Sequence, residues 1–186
     1  MPGILVVLSG PSAIGKDTVL SAWKQLDPMI VVPITTTTRE PRPGEQNGVD
    51  YHFVSPQEFQ RKIDRGEFLE WKPVYHSLYG SPKAETERIL AEGKIAVLKL
   101  DVQGAKTVKQ TRSDAITIFL MPPSLQALEE RIRSRNLDSE EQVRIRLEAA
   151  KNEIAQACEF DYQVINDDVQ SCAKRLDEIV RKAMAQ

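Results

Sequence analysis

The stretch that most constrains the fold is Ile4-Leu5-Val6-Val7-Leu8-Ser9-Gly10-Pro11-Ser12-Ala13-Ile14-Gly15-Lys16-Asp17-Thr18. An apolar, β-branched run of this kind reads as a buried strand, Gly10 breaks it, and a helix is predicted to begin near Gly15. Gly10, four residues, then Gly15-Lys16 is the spacing of a P-loop. Glycines let several backbone N–H groups converge on a phosphate. The helix N-terminus behind them adds its positive dipole end, and Lys16 a mobile charge for the outer phosphates. A strand-to-helix turn with a surface lysine shares these letters; the strand before and the helix after favour the phosphate site. Two positions depart from the common pattern. Asp17 stands where Ser or Thr usually reaches Mg²⁺, with Thr18 behind it. Ala13 stands where many such loops carry another glycine. Asp17 is either a carboxylate ligand for the metal or a group that repels the nucleotide unless a cation is nearby.

The remainder of the chain fits an α/β fold. At 186 residues the length suits one modest domain, and 25 basic against 27 acidic residues give no bulk charge that would attract nucleic acid or a membrane surface. Cys158 and Cys172 form neither a disulfide framework nor a metal cluster, which suggests a reducing, cytoplasmic setting. The apolar run at residues 4–8 is too short for a signal peptide or a membrane span. Strands are predicted at 30–34, 50–54, 68–71, 95–101, 115–121 and 162–165. Helices are predicted at 16–25, 56–65, 82–92, 103–110, 125–135, 140–158 and 169–184, with Ser55, Ser81, Ser124 and Ser139 as caps. Strands and helices alternate at both ends, which predicts a parallel sheet covered on both faces. Residues 36–93 break that rhythm and read as an insertion. Its Thr35–Glu45 stretch contains Pro41, Pro43 and Gly44, which shape a loop carrying Arg39 and Arg42; two arginines so spaced can share one anion or form a solvated basic loop. Arg131 and Arg135 share a helix face, as phosphoryl transfer or a charge-laced hairpin would each use. Asp101 falls where ligands of open α/β sheets bind.

Assembled, the chain resembles a guanylate kinase over essentially its whole length. The resemblance rests on Leu8-Ser9-Gly10-Pro11-Ser12, on Thr37-Thr38-Arg39-Glu40-Pro41-Arg42-Pro43-Gly44-Glu45 and on Gly48-Val49-Asp50-Tyr51-His52-Phe53. It continues in Gly66-Glu67-Phe68-Leu69-Glu70-Trp71, Tyr79-Gly80-Ser81, Asp101-Val102-Gln103-Gly104 and Arg146-Leu147-Glu148-Ala149-Ala150. It implies a P-loop kinase core with a parallel sheet flanked by helices (residues 1–35, 94–124 and 153–186), an inserted mixed α/β GMP-binding domain (36–93) and a helical lid (125–152). The implied activity is transfer of a phosphoryl group from ATP to GMP, and to dGMP, with Mg²⁺. Ser12, Ala13, Ile14, Gly15, Lys16, Asp17 and Thr18 would hold ATP, with Arg131 contacting it, Asn166 facing adenine and Asp17 at the metal. Arg39, Arg42, Tyr51 and Tyr79 would grip the GMP phosphate, with Glu45 beside them. Glu70 and Asp101 would accept from guanine N1 and N2, and Thr35 and Ser81 would donate to O6. Lys16, Arg135 and Arg146 would be catalytic. The implied partners are ATP and GMP alone, with no nucleic acid or membrane, and the chain would act as a monomer or homodimer.

The family usually has an acid two residues before Asp101, where this chain has Lys99. Because Asp17 is also unusual, Asp17 is expected to pair with Lys99 while still supporting the Mg²⁺ shell. Two other readings share part of the pattern. A ribose bisphosphate phosphokinase of the same fold would not need Glu70, Ser81 and Asp101. A guanylate-kinase-like peptide-binding module usually lacks the P-loop lysine and the lid arginines.

Overall fold

The structure, a computed structural model, describes residues 3–134 and 139–185. Its core is a five-stranded parallel sheet built on β1 (Ile4–Ser9). In strand order it runs β2 (Ile30–Val31), β7 (Ile95–Lys99), β1, β8 (Ile116–Met121) and β9 (Tyr162–Ile165). Successive side chains of β1 leave by opposite faces. Val6 and Leu8 join one apolar cluster with Val19 and Trp23 of α1 (Lys16–Leu26) and with Leu176 and Val180 of α7 (Val169–Met184). Leu5 and Val7 join a second cluster with Ile89 of α3 (Lys83–Ala91) and with Ala105 and Val108 of α4 (Val102–Thr111). Full burial of one such Val or Leu side chain contributes about 1.5–3 kcal/mol, so β1, buried on both sides, anchors the three layers. Trp23 also donates from Nε1 to Asp177 at 3.2 Å, and Arg181 pairs with the buried Asp27 at 2.7 Å, which ties α1 to α7.

A second, mixed sheet lies between residues 36 and 82. Its order is β4 (His52–Phe53), β3 (Thr36–Thr37), β6 (Ser77–Pro82) and β5 (Phe68–Val74). α2 (Pro56–Asp64) packs Phe59 on Phe68, with ring centroids 4.6 Å apart. Trp71, on the other side of β5 from Glu70, is 45% exposed. α5 (Leu125–Arg133) and α6 (Glu140–Ile154) close a small third cluster through Leu128, Ile132, Val143 and Ala150.

Several element boundaries differ from the sequence expectations, for identifiable reasons. The 30–34 strand stops at Val31, just ahead of Pro33, which has no N–H for the ladder. The 68–71 strand instead runs to Val74, because β5 is an edge strand and tolerates Pro73. It turns back through Tyr75 and His76 into β6, a hairpin without the usual Gly or Asn; Tyr75 takes the positive φ of 53° itself. Ser81 is not a helix cap: it lies in β6, α3 starts after Pro82 with no side-chain cap, and the Ser81 hydroxyl is committed to Glu70. The 95–101 strand ends at Lys99, and Asp101 caps α4 by accepting from the Gly104 amide at 2.8 Å. The long helix expected to reach residue 158 ends at Ile154, followed by one 3-10 turn, Ala157–Glu159. Ser55, Ser124 and Ser139 cap as expected, and Ser139 and Gln142 form a reciprocal capping box.

Candidate active site

The P-loop joins the end of β1 to the start of α1. Gly10, at φ 150°, must be glycine, since a Cβ there would meet the Leu120 carbonyl oxygen at 2.8 Å. Gly15, the cap of α1, has φ 90°. Ala13, noted as standing in a glycine's place, is left-handed with φ 64°. A left-handed non-glycine residue carries strain of roughly 1–2 kcal/mol. The loop borders a cavity of about 160 Å³ with Lys16, Asp17 and Thr18. Lys16 folds back on the loop, donating to the carbonyls of Gly10 and, at 3.2 Å, Pro11. Burial lowers its ammonium pKa, with Lys99 adding to the effect and the Glu153, Asp17 and Asp101 carboxylates opposing it.

Residues of α5 and α6 reach the same loop. Arg146 of α6 donates from Nη2 to Ser12 Oγ at 3.1 Å. Arg131 of α5 donates to the backbone oxygens of Ile14 (3.3 Å) and Asn166 (3.1 Å). Asn166 itself donates from Nδ2 to the Ile14 carbonyl at 2.7 Å, and its buried Oδ1 has no partner among the described residues. Arg135 lies outside the described residues. Glu153, which the sequence reasoning missed, accepts at Oε2 from the Ser12 amide at 3.3 Å. Burial raises the Glu153 carboxyl above the ordinary glutamate range despite Lys16 and that amide. The signal was available: Glu153 follows Arg146 by two helical turns and so shares its face.

A second cavity, about 200 Å³, is lined by Thr35, Tyr51, Glu70, Lys72, Val74, Tyr79, Ser81, Lys99 and Leu100. The β5–β6 ladder sets Glu70 opposite Ser81 and Lys72 opposite Tyr79, so these four side chains share one face. Glu70 is 6% exposed, and its Oε1 accepts from the Ser81 hydroxyl at 2.6 Å. Asp101 accepts at Oδ2 from Lys72, and Lys99 donates to Asp17, so the expected Asp17–Lys99 pair is present. Burial alone would raise the Asp101 carboxyl, but Lys72, the Gly104 amide and Lys16 outweigh it and hold it below the ordinary aspartate range. Lys72 was missed because the strand was ended at Trp71; continued, it places Lys72 on the face of Glu70.

Beside this cavity, Arg39 lies over the Tyr51 ring at 5.3 Å, and Tyr51 meets Tyr79 edge to face at 6.0 Å. Glu45 grips Arg39 with both oxygens (2.8 and 2.9 Å) and accepts from the Arg42 amide, so its contribution is the orientation of Arg39. The Arg39 hydrogen bond is the main cause that holds the Glu45 carboxyl below the ordinary glutamate range. Arg42 is exposed on the same loop. The larger cavity of about 670 Å³ takes in Thr36, Phe68 and Pro82, on the opposite face of the mixed sheet. His52 meets Glu85 there at 3.3 Å, and Lys62 pairs with Glu67 at 2.8 Å.

The geometry therefore puts a glycine-containing loop, reached by Arg131 of α5 and Arg146 of α6, together with a cavity lined by the buried Glu70 carboxyl. Comparison with known proteins agrees. The guanylate kinase family model matches residues 3–183. The chain is 44% identical over 179 residues to the guanylate kinase of Thermosynechococcus vestitus, covering 96% of this chain and 94% of that one. It is 44% identical to the guanylate kinase of Myxococcus xanthus over 180 residues, covering 96% and 86%. The crystal structure of guanylate kinase from Anaplasma phagocytophilum superposes with a TM-score of 0.72 at 32% identity, covering 97% of this chain and 86% of that one. Shikimate kinase from Bacteroides thetaiotaomicron, at 14% identity and a TM-score of 0.52, shares the fold alone. Matched over nearly its whole length, with the P-loop and the acid-lined cavity in place, the chain belongs to the guanylate kinase family of nucleoside monophosphate kinases.

Proposed function

We propose that this guanylate kinase, which phosphorylates GMP at the expense of ATP, does so by direct in-line transfer between nucleotides held in the two cavities. The observation that carries the acceptor assignment is the buried Glu70 carboxylate, fixed by Ser81 and facing the cavity beside Asp101. Guanine presents donors at N1 and N2 and an acceptor at O6. Ionised Glu70 and Asp101 match the donors, and Thr35 and Ser81 can serve O6. Adenine would leave such groups unpaired, at roughly 1–3 kcal/mol for each buried one. Arg39, Arg42, Tyr51 and Tyr79 take the GMP phosphate. None of these residues is needed at the ribose 2′-hydroxyl, so dGMP is an acceptor as well.

At the other end the P-loop amides, Lys16 and Thr18 hold the ATP phosphates, Arg131 contacts ATP, and Arg146, together with Arg135, neutralises charge on the moving group. The unpartnered Asn166 Oδ1 supports an adenine contact. The attacking oxygen belongs to an ionised phosphate, so no general base is required; catalysis consists of positioning and charge neutralisation. Among the described residues no cluster of three or more His, Cys, Asp or Glu could cage a metal. That fits Mg²⁺, which is usually held by one or two carboxylates together with substrate phosphates. The exposed Asp17 carboxylate, with Thr18 beside it, is the group that would hold it. When bound, Mg²⁺ supplies charge neutralisation at the transferring phosphate. No helix among the described residues is long and apolar enough to cross a membrane, and both cysteines are free, which suits a cytoplasmic enzyme.

The test is ADP release from MgATP with GMP, dGMP, AMP, CMP and UMP as separate acceptors. Strong release with GMP and dGMP alone is expected. Comparable release with AMP would remove the role given to Glu70 and Asp101.

A further inference from the structure

Lys72 takes no part in the assignments above, yet it lines the acceptor cavity. It stands two residues after Glu70 on β5 and directly opposite Tyr79 on β6. Along the hairpin it is thus one pair further than Glu70 and Ser81, on the same face, where the base-reading end gives way to the phosphate-gripping end. Tyr51 meets Tyr79 edge to face, and the Arg39 guanidinium lies over Tyr51. The ammonium is therefore a further cation at the edge of a group that already collects an anion. With no nucleotide bound, it is held by Asp101 Oδ2.

The pair is part-buried, with side chains 35% and 38% exposed, so an incoming ligand can reach both partners. The two oxygens of Asp101 are not equivalent. The Gly104 amide fixes Oδ1, while Oδ2 receives Lys72. A guanine N–H approaching Asp101 from the cavity therefore meets Lys72 at Oδ2 and competes with it for that oxygen. The same base engages Glu70, the other nearby anion on that face. The ammonium is then left on a flexible four-carbon stem, strongly hydrated and in want of an oxyanion, beside the incoming phosphate.

We propose that Lys72 is a substrate-binding residue of the acceptor site, which exchanges Asp101 for the phosphate of the bound nucleoside monophosphate as the base takes over Asp101. The proposal rests on the acceptor-site reading given above. It makes the base and phosphate contacts interdependent: the cation for the phosphate is released by the base. A nucleoside without a phosphate has to displace Lys72 and gains nothing in return.

Titration calorimetry with GMP, and with guanosine as a competitor, tests this on the full chain and on Lys72→Met and Lys72→Arg. Lys72→Met is expected to weaken GMP by roughly tenfold, the loss of one charge-assisted contact. Guanosine should bind that variant as well as the unaltered chain or better, and Lys72→Arg should stay within about threefold for GMP. If Lys72→Met does not fold, Lys72→Gln gives the same ratio. Equal weakening of both ligands would mean a structural role and overturn the proposal, as would an unchanged ratio. Failure of the unaltered chain to bind GMP would instead overturn the acceptor-site reading itself.

Discussion

Burial pushes the Glu70 carboxyl above the ordinary glutamate range, and the Ser81 hydroxyl and the Lys72 charge offset only part of the effect. The proposed contact with guanine N–H groups needs the ionised form, whereas burial favours the protonated one. The linkage sign follows: a folded-state pKa raised above the unfolded value gives stability that is full below the unfolded pKa and is lost as pH rises through the folded one. Glu70→Gln, which mimics the protonated acid, should therefore melt at a higher temperature than the parent at neutral pH. The gain should vanish as pH falls to about 4, where both states of the parent carry the proton. The same substitution should cut kcat/KM for GMP by at least about 10²-fold, because it removes an acceptor for the base. Melting curves across pH and acceptor kinetics check both halves, and a variant less stable at neutral pH would contradict the account. Glu70 was legible in sequence only through its family setting. Alternation along a strand gives its face, but its depth comes from the packing of α4, whose Gly104 lets the backbone come close: a Cβ there would sit 3.3 Å from Glu70 Oε2.

At the scale of elements, the end of β7 and the first turn of α1 are joined by Lys99 and Asp17, whose side chains are 40% and 80% exposed. Such an open pair adds little to stability. Its importance lies in placing a carboxylate beside the P-loop without leaving that charge unanswered. In a double-mutant cycle with Asp17→Ser and Lys99→Ala, the effects on kcat/KM should depart from additivity by at least ~0.5 kcal/mol. The Mg²⁺ concentration needed for half-maximal rate should rise in Asp17→Ala, which leaves no oxygen where Ser or Thr usually reaches the ion. Strict additivity with an unchanged Mg²⁺ requirement would separate the pair from the metal. This link was readable from two departures in the sequence, since P-loop spacing and strand order make the positions neighbours. The β5–β6 hairpin was not readable to its full length. Its turn lacks Gly and Asn, and Pro73 reads as a stop unless the strand is known to lie at an edge. Losing those three residues concealed Lys72, a cation on the same strand face as Glu70.

For the whole molecule, the parallel sheet was legible because its strands are nearly continuous apolar runs and alternate with capped helices. The mixed sheet was less so: β3, at two residues, is too short for any period to show, and of the strand expected at 50–54 only His52–Phe53 is present. The broken rhythm marked an insertion, the family resemblance implied its mixed α/β character, and the strand pairing came only from the coordinates. One contrast between the two sheets has an optical consequence. The chain has two tryptophans: Trp23 is sealed against α7 at 0% exposure, and Trp71 stands on the mixed sheet at 45%. Iodide should therefore quench only part of the native emission, the part at longer wavelength. In Trp71→Phe the remaining fluorescence should be blue-shifted and almost untouched by iodide until denaturant exposes Trp23. Emission that iodide quenches equally well in Trp71→Phe would refute the burial of Trp23. Without any added dye, the mixed sheet thus carries its own lamp, while the lamp in the core stays dark to the quencher.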